Sequence, residues 1–159
     1  MLPGDFVLEP PTDAYSRAVA TLGGSRYNHV RLIVDYTGRS VEAVAGGVTW
    51  TPEVYQGDLL VAAPLTDDQR GAILAASEPL IGRPYSRAGL LSLGLASFAP
   101  GLPWLRRELA EHRAFTCAHL VAHIWKAVGF DPVGRPAQSV TPGELADLAL
   151  RRGWDVEEL

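Results

Sequence analysis

Along the first part of the chain the apolar positions fall in short β-branched and aromatic blocks separated by turn residues. Residues 5–9 (DFVLE), after Pro3-Gly4, read as a short strand. Residues 28–36 (NHVRLIVDY) make a longer one, Thr37-Gly38-Arg39 a turn, and residues 40–44 (SVEAV) a return strand, which together predict a hairpin. Gly46-Gly47 marks the next turn, ahead of Val48-Thr49-Trp50-Thr51, and residues 58–63 (DLLVAA) form a further strand ended at Pro64. From there the spacing becomes helical. Thr66 and Gln69 have capping-box spacing, Asp67 and Asp68 fill an acidic first turn, and Ile73, Leu74, Leu80 and Ile81 supply a buried side until Gly82-Arg83-Pro84-Tyr85 stops the helix. Residues 86–99 are small, apolar and glycine-containing, a loosely regular helix or two, and residues 105–111 are helical. Residues 117–128 are strongly helical, with Gly129 as the C′ residue. Residues 131–139 read as loop, and Thr141, Pro142 and Glu144 open a last helix as N-cap, N1 and N3. Strands first and helices after predict one α+β domain over residues 1–159.

Bulk composition narrows the function without choosing it. Hydrophobic residues at 47% and charged residues at 20% are those of a globular domain with a real core. The balance of 14 basic and 18 acidic residues gives −4, which argues against nucleic acid as a partner. No apolar run is long enough to cross a bilayer, since residues 88–103 are interrupted by Ser92, Gly94, Ser97 and Pro100. The first residues lack a basic region followed by an apolar one, so no signal peptide is read and synthesis in the cytoplasm is expected, with export by another route left open.

The single cysteine, Cys117, excludes an internal disulfide and a cysteine-based zinc cluster. Thr116 caps the helix that starts there, which puts Cys117 in the first turn. Free N–H groups and the positive end of the helix dipole favour a thiolate at that position and offer donors to an oxyanion. Of the four histidines, His29 opens the apolar strand, and Glu42 lies on the following strand, within reach if the hairpin register allows. A carboxylate beside an imidazole fixes its tautomer and stabilises the imidazolium, so Cys117, His29 and Glu42 are the candidates for nucleophile, base and orienting group. Each has a plainer reading: a packed thiol, a hydrogen-bonded strand histidine, a solvent-facing charge. His119 and His123, four apart on one helix, have a spacing that binds zinc. The intervening Leu120, Val121 and Ala122 include no glutamate, and no metal and no cofactor are assigned. Tyr85 is a packing residue or an oxyanion donor, and Trp50, Trp104 and Trp125 are core or pocket wall.

Taken in order, Gly4-Asp5-Phe6, Asn28-His29-Val30, Val41-Glu42-Ala43 with Gly47-Val48, Gly82-Arg83-Pro84-Tyr85, Cys117-Ala118-His119-Leu120-Val121 and residues 139–145 (SVTPGEL) resemble the circularly permuted NlpC-type papain-like amidases, including the YiiX-like and lecithin:retinol acyltransferase-like branches. In that group the histidine strand precedes the cysteine helix. The resemblance covers nearly the whole chain and departs at His119, where Ser or Glu is common, and at Asn28, where Ser or Thr is common. It implies a small antiparallel sheet packed on the nucleophile helix, with Cys117, His29 and Glu42 as the catalytic set. It also implies cleavage of an amide through a thioester, with peptidoglycan stem peptides as the expected substrate. The apolar stretch 90–105 prompts an alternative, acyl transfer or lipid-ester hydrolysis. A third reading is a non-catalytic component of a secretion or phage-tail machine, or a protein delivered by one.

Overall fold

The computed structural model describes residues 1–22, 25–52, 57–86 and 115–159. Among the described residues the strands are β1 (Phe6–Glu9), β2 (His29–Ile33), β3 (Ser40–Val44), β4 (Gly47–Thr51), β5 (Leu59–Val61) and β6 (Val156–Glu158). The helices among the described residues are α1 (Ala14–Leu22), α2 (Asp67–Ser77), α3 (Cys117–Ala127) and α4 (Pro142–Arg152). All six strands join one antiparallel sheet in the order β4-β3-β2-β1-β5-β6, so the domain is α+β.

Strand alternation gives the sheet two different faces. Phe6 and Leu8, Val30 and Leu32, Val41 and Ala43 form one core with Leu120, Val121 and Ile124 of α3, all of them buried. Each such side chain removed from water contributes about 1.5–3 kcal/mol before entropy is counted. The intervening positions carry only a small apolar cluster, Val7, Ile33 and Leu60. By the same alternation Glu9, His29, Arg31, Glu42 and Asp58 belong to that second face. Trp125 anchors the first face: fully buried, it meets Phe6, Phe130 and Trp154 edge-on at 5.3, 5.4 and 6.1 Å between ring centroids and donates from Nε1 to the Gly4 carbonyl at 3.0 Å.

The predicted helix signals appear as real caps. Thr66 and Gln69 form a reciprocal capping box on α2, and Thr141 and Glu144 form another on α4 behind Pro142. Gly129, at φ +79°, follows α3 in the left-handed conformation expected of C′. The 28–36 strand is shorter than its apolar run, because a turn at Asp35, which accepts from Thr37 and Arg39, bends the chain away.

The structure corrects one expectation, the end of α2, and adds two elements, α1 and β6. Helix α1 was not anticipated, although Asp13 and Ser16 exchange backbone-to-side-chain hydrogen bonds at its start, a signal of the capping-box type. The end of α2 is not set by Gly82: the helix gives way to a 3₁₀ turn, Glu78–Leu80, around Pro79, and this change of phase buries Leu80 while leaving Ile81 37% exposed. Strand β6 is short, acidic and wholly exposed; it is held by main-chain pairing with β5, which side-chain patterning does not announce. The helices expected at 86–99 and 105–111, and Trp104, lie outside the described residues.

Candidate active site

Helix α3 begins where the capping residue predicts. Thr116 is extended (φ −89°, ψ 166°) and its hydroxyl accepts from the His119 N–H at 3.3 Å, so Cys117 occupies the first helical position. The chain enters beside the 82–86 segment: Phe115 donates to the Pro84 carbonyl, and Ser86 donates to that of Phe115, each at 2.9 Å. That segment is pinned in turn to the β3–β4 turn, where Val48 donates to Arg83 and Gly82 to Val48. Gly47 makes the approach possible. It sits at φ +114°, and a Cβ there would lie 2.8 Å from the Arg83 carbonyl oxygen. The sulfur-bearing residue is thus fixed against the sheet through main-chain contacts on both sides.

His29 is the first residue of β2, and Leu32 pairs with Val41 across the hairpin, which leaves Glu42 displaced toward the His29 end of the strands. Its Nε2 lies 2.7 Å from Glu42 Oε2, 13 residues away in sequence. The Cys117 side chain lies near enough to the imidazole to act on it by charge and hydrogen bonding. The structure therefore brings Cys117, His29 and Glu42 into one connected chain of contacts. Cys117 itself is only 2% exposed.

Electrostatics reinforce the connection. Burial acts to lower the pKa of His29, but the charge and hydrogen bond of the Cys117 sulfur, the hydrogen bond of Glu42 and the charge of Glu9 outweigh it and push the imidazole up to about 10. A ring held as imidazolium beside a sulfur is the arrangement that keeps a thiolate available and a proton ready for a leaving group.

Sequence reasoning passed over three further charged residues here. Glu9 stands directly opposite His29 in the β1–β2 ladder, and its Oε1 is 3.9 Å from Nε2. Arg31, with 2% of its side chain exposed, reaches Glu9 at 2.5 Å with Nε and Asp58 at 2.6 Å with Nη2. The available signal was the arginine inside an apolar strand (His29-Val30-Arg31-Leu32-Ile33), because a buried guanidinium requires carboxylates nearby. Among the described residues, Glu9, His29 and Glu42 are also the grouping whose potential ligand atoms all fall within 4.8 Å of one another.

The other candidates sit apart from this chain of contacts. His119 and His123 share a face of α3 with Phe115, with ring centroids 4.6 Å (Phe115 to His119) and 6.0 Å (His119 to His123) apart. Burial, then the neighbouring His123, pushes His119 down to about 4, so its ring is neutral. Burial, then Arg83, lowers the pKa of His123, which is the more exposed of the two. Tyr85 and Trp50 pack at the border of the core, and Arg39 lies over the Trp50 ring at 4.9 Å.

No family model matches the chain, and no curated protein matches it in sequence. A solved structure matches it in shape, that of metalloprotein yiiX from Escherichia coli. The TM-score is 0.54 at 15% identity, over 85% of this chain and 68% of that one. The chain has a YiiX-like α+β fold. At that identity the likeness speaks for the fold alone. No helix among the described residues is long and apolar enough to cross a membrane.

Proposed function

We infer that this protein is a cysteine hydrolase of the permuted papain-like, NlpC type, acting on an amide bond. The observation that carries the reading is the His29 imidazole held by Glu42 at 2.7 Å and placed near enough to Cys117, at the start of α3, for the sulfur to act on it. In the reaction the Cys117 thiolate adds to the substrate carbonyl carbon. The oxyanion so formed takes hydrogen bonds from main-chain N–H groups at the helix start, that of Cys117 first. His29 gives its proton to the leaving nitrogen, the C–N bond breaks, and a thioester remains. A water molecule then adds to the thioester, His29 takes its proton and returns it to the departing sulfur, and the acid is released. Glu42 holds the imidazole in the tautomer and orientation that both halves need. The substrate class is a cell-wall peptide, on the strength of the resemblance in residue order.

The deep burial of the sulfur favours one competing reading, a component of a secretion or phage-tail machine that retains the fold without turnover. Thiol labelling separates the two. Separate samples of the protein and of its Cys117→Ala variant would be treated with iodoacetamide, or incubated untreated with peptidoglycan fragments and with fluorogenic acyl esters, and the products read by mass spectrometry. The hydrolase reading expects a thiol that reacts faster than free cysteine at neutral pH, and turnover that Cys117→Ala abolishes. Cleavage of esters but not of muropeptides would move the assignment to acyl chemistry on the same residues. A thiol no more reactive than free cysteine, with Cys117→Ala retaining any turnover, would overturn it.

The solved neighbour is described as a metalloprotein, so the donor set deserves a test against a cation. Two carboxylates and an imidazole are ligands that divalent transition metals use. Here the same atoms already have protein partners: Glu9 Oε1 is 2.5 Å from a guanidinium nitrogen, and Glu42 Oε2 holds His29 Nε2. A cation on this set would face the positive charge of Arg31 and break the His29–Glu42 hydrogen bond. The residues do not fit a resident metal.

A further inference from the structure

We propose that Glu9 is a second positioning residue for the catalytic imidazole, held in place by the buried Arg31–Asp58 pair, so that His29 works between two carboxylates rather than one. The proposal rests on the hydrolase reading above.

The geometry begins with the register. Glu9 and His29 are Cα partners across the antiparallel β1–β2 pair, so their side chains rise from the same face of the sheet at the same end. Glu42 arrives from β3 on the other side of β2, and its Oε2 is 2.7 Å from Nε2, against 3.9 Å for Glu9 Oε1. One carboxylate makes the hydrogen bond; the other stands just beyond contact, close enough to act by charge. A glutamate on a short strand end has rotamers that would take it to water. Arg31 removes that freedom by pairing with Glu9 through Nε and with Asp58 through Nη2. The guanidinium is buried, and the two carboxylates are the charges that hold it.

The groups facing His29 from each element are then Glu9 from β1, Glu42 from β3 and Cys117 from α3, with Arg31 and Asp58 one step behind Glu9. The pKa of Glu9 is raised, burial being the largest cause, with His29 first and Arg31 next opposing it. The pairing holds a second carboxylate near the ring, beyond the one that Glu42 supplies. A purely architectural salt bridge would lock β1 to β2 and β5 and leave the imidazole indifferent. The position of the carboxylate opposite His29, rather than further along the strand, is what ties it to the chemistry.

The test reads the imidazole directly. Protein with isotope-labelled histidine would be titrated by NMR, the His29 signal being assigned by its loss in His29→Asn, alongside the iodoacetamide reaction of Cys117 over the same pH range. In Glu9→Gln the His29 midpoint is expected to fall by about one pH unit. The alkaline limb of the Cys117 alkylation profile should move by the same amount. Glu9→Asp keeps a counter-ion for Arg31 but draws the carboxylate back from the ring, and should give an intermediate midpoint; it carries the test if Glu9→Gln does not fold. A lowered melting temperature with an unmoved His29 midpoint in both variants would overturn the proposal and leave Glu9 as structure. If instead the wild-type thiol reacts no faster than free cysteine while the midpoint still follows Glu9, the hydrolase reading fails and the electrostatic role of Glu9 stands.

Discussion

The two faces of this sheet are built from alternate residues of the same strands, and they differ in what holds them. The face under α3 is apolar throughout and would tolerate many sequences of suitable volume. The opposite face has Val7, Ile33 and Leu60 as its apolar cluster and is otherwise organised by charge, with Glu9, Arg31, Asp58, His29 and Glu42 in ion-pair range of one another. Because His29 opens β2, its ring also meets the Cys117 side chain at the start of the helix that covers the apolar face. The apolar and the charged face meet at one end of the sheet, where Cys117 itself belongs to the apolar core. A one-residue slip in register would exchange the two sets of side chains and destroy both.

The strongest way to break that division is to damage the apolar face and ask whether the chemistry follows. Trp125 fills the space between α3, Phe6, Phe130 and Trp154 and donates to Gly4. Trp125→Ala should cost about 3–5 kcal/mol, read from the urea midpoint. The thiol of the molecules that remain folded should keep its wild-type rate with iodoacetamide. A folded Trp125→Ala protein with an inert thiol would show that the faces are not separable.

The apolar face was also the legible one. The β3 bounds, the caps at Thr66, Thr116 and Thr141 and the C′ glycine at Gly129 follow from local chemistry that a linear reading captures. The proximity of Cys117, His29 and Glu42 was legible because each member carries a local signal: a capped helix start, a polar aromatic opening a strand, and a carboxylate on the return strand. Glu9 was not. Its partner His29 is fixed only by the pairing of β1 with β2, which skips over α1, and the reading had no account of that stretch. Strand β6 escaped for a related reason: Val156, Glu157 and Glu158 join the sheet through main-chain bonds alone.

A gentler test changes pH instead of residues. The folded His29 has its pKa raised to about 10 from 6.5. A group raised in the folded state binds its proton more tightly there, so its contribution to stability is fully present below about pH 6.5 and is lost as the pH rises through about 10. The urea midpoint of the wild type should therefore fall between pH 7 and pH 10.5, both about the limits of that window. His29→Asn, which has no such proton to lose, should fall less. Equal slopes in the two proteins would mean that the imidazole is not held charged by its neighbours, and would remove the distinction between the charged face and any other polar surface.

The smallest effect is expected where the faces meet. Thr116 caps α3 by accepting from the His119 N–H, and Thr116→Ala should cost about 1 kcal/mol in stability. Its effect on the thiol decides which influence governs Cys117. If the imidazole and its carboxylates dominate, loss of the cap leaves the iodoacetamide rate within about fivefold of wild type, since a helix terminus contributes about 0.3–1 kcal/mol to a charge in its first turn. Thr116→Ser, which keeps the hydroxyl, should recover the stability. A larger fall in rate for Thr116→Ala than for His29→Asn would reverse the assignment: the helix end would be activating the sulfur, and the charged face would be reduced to orienting a proton donor.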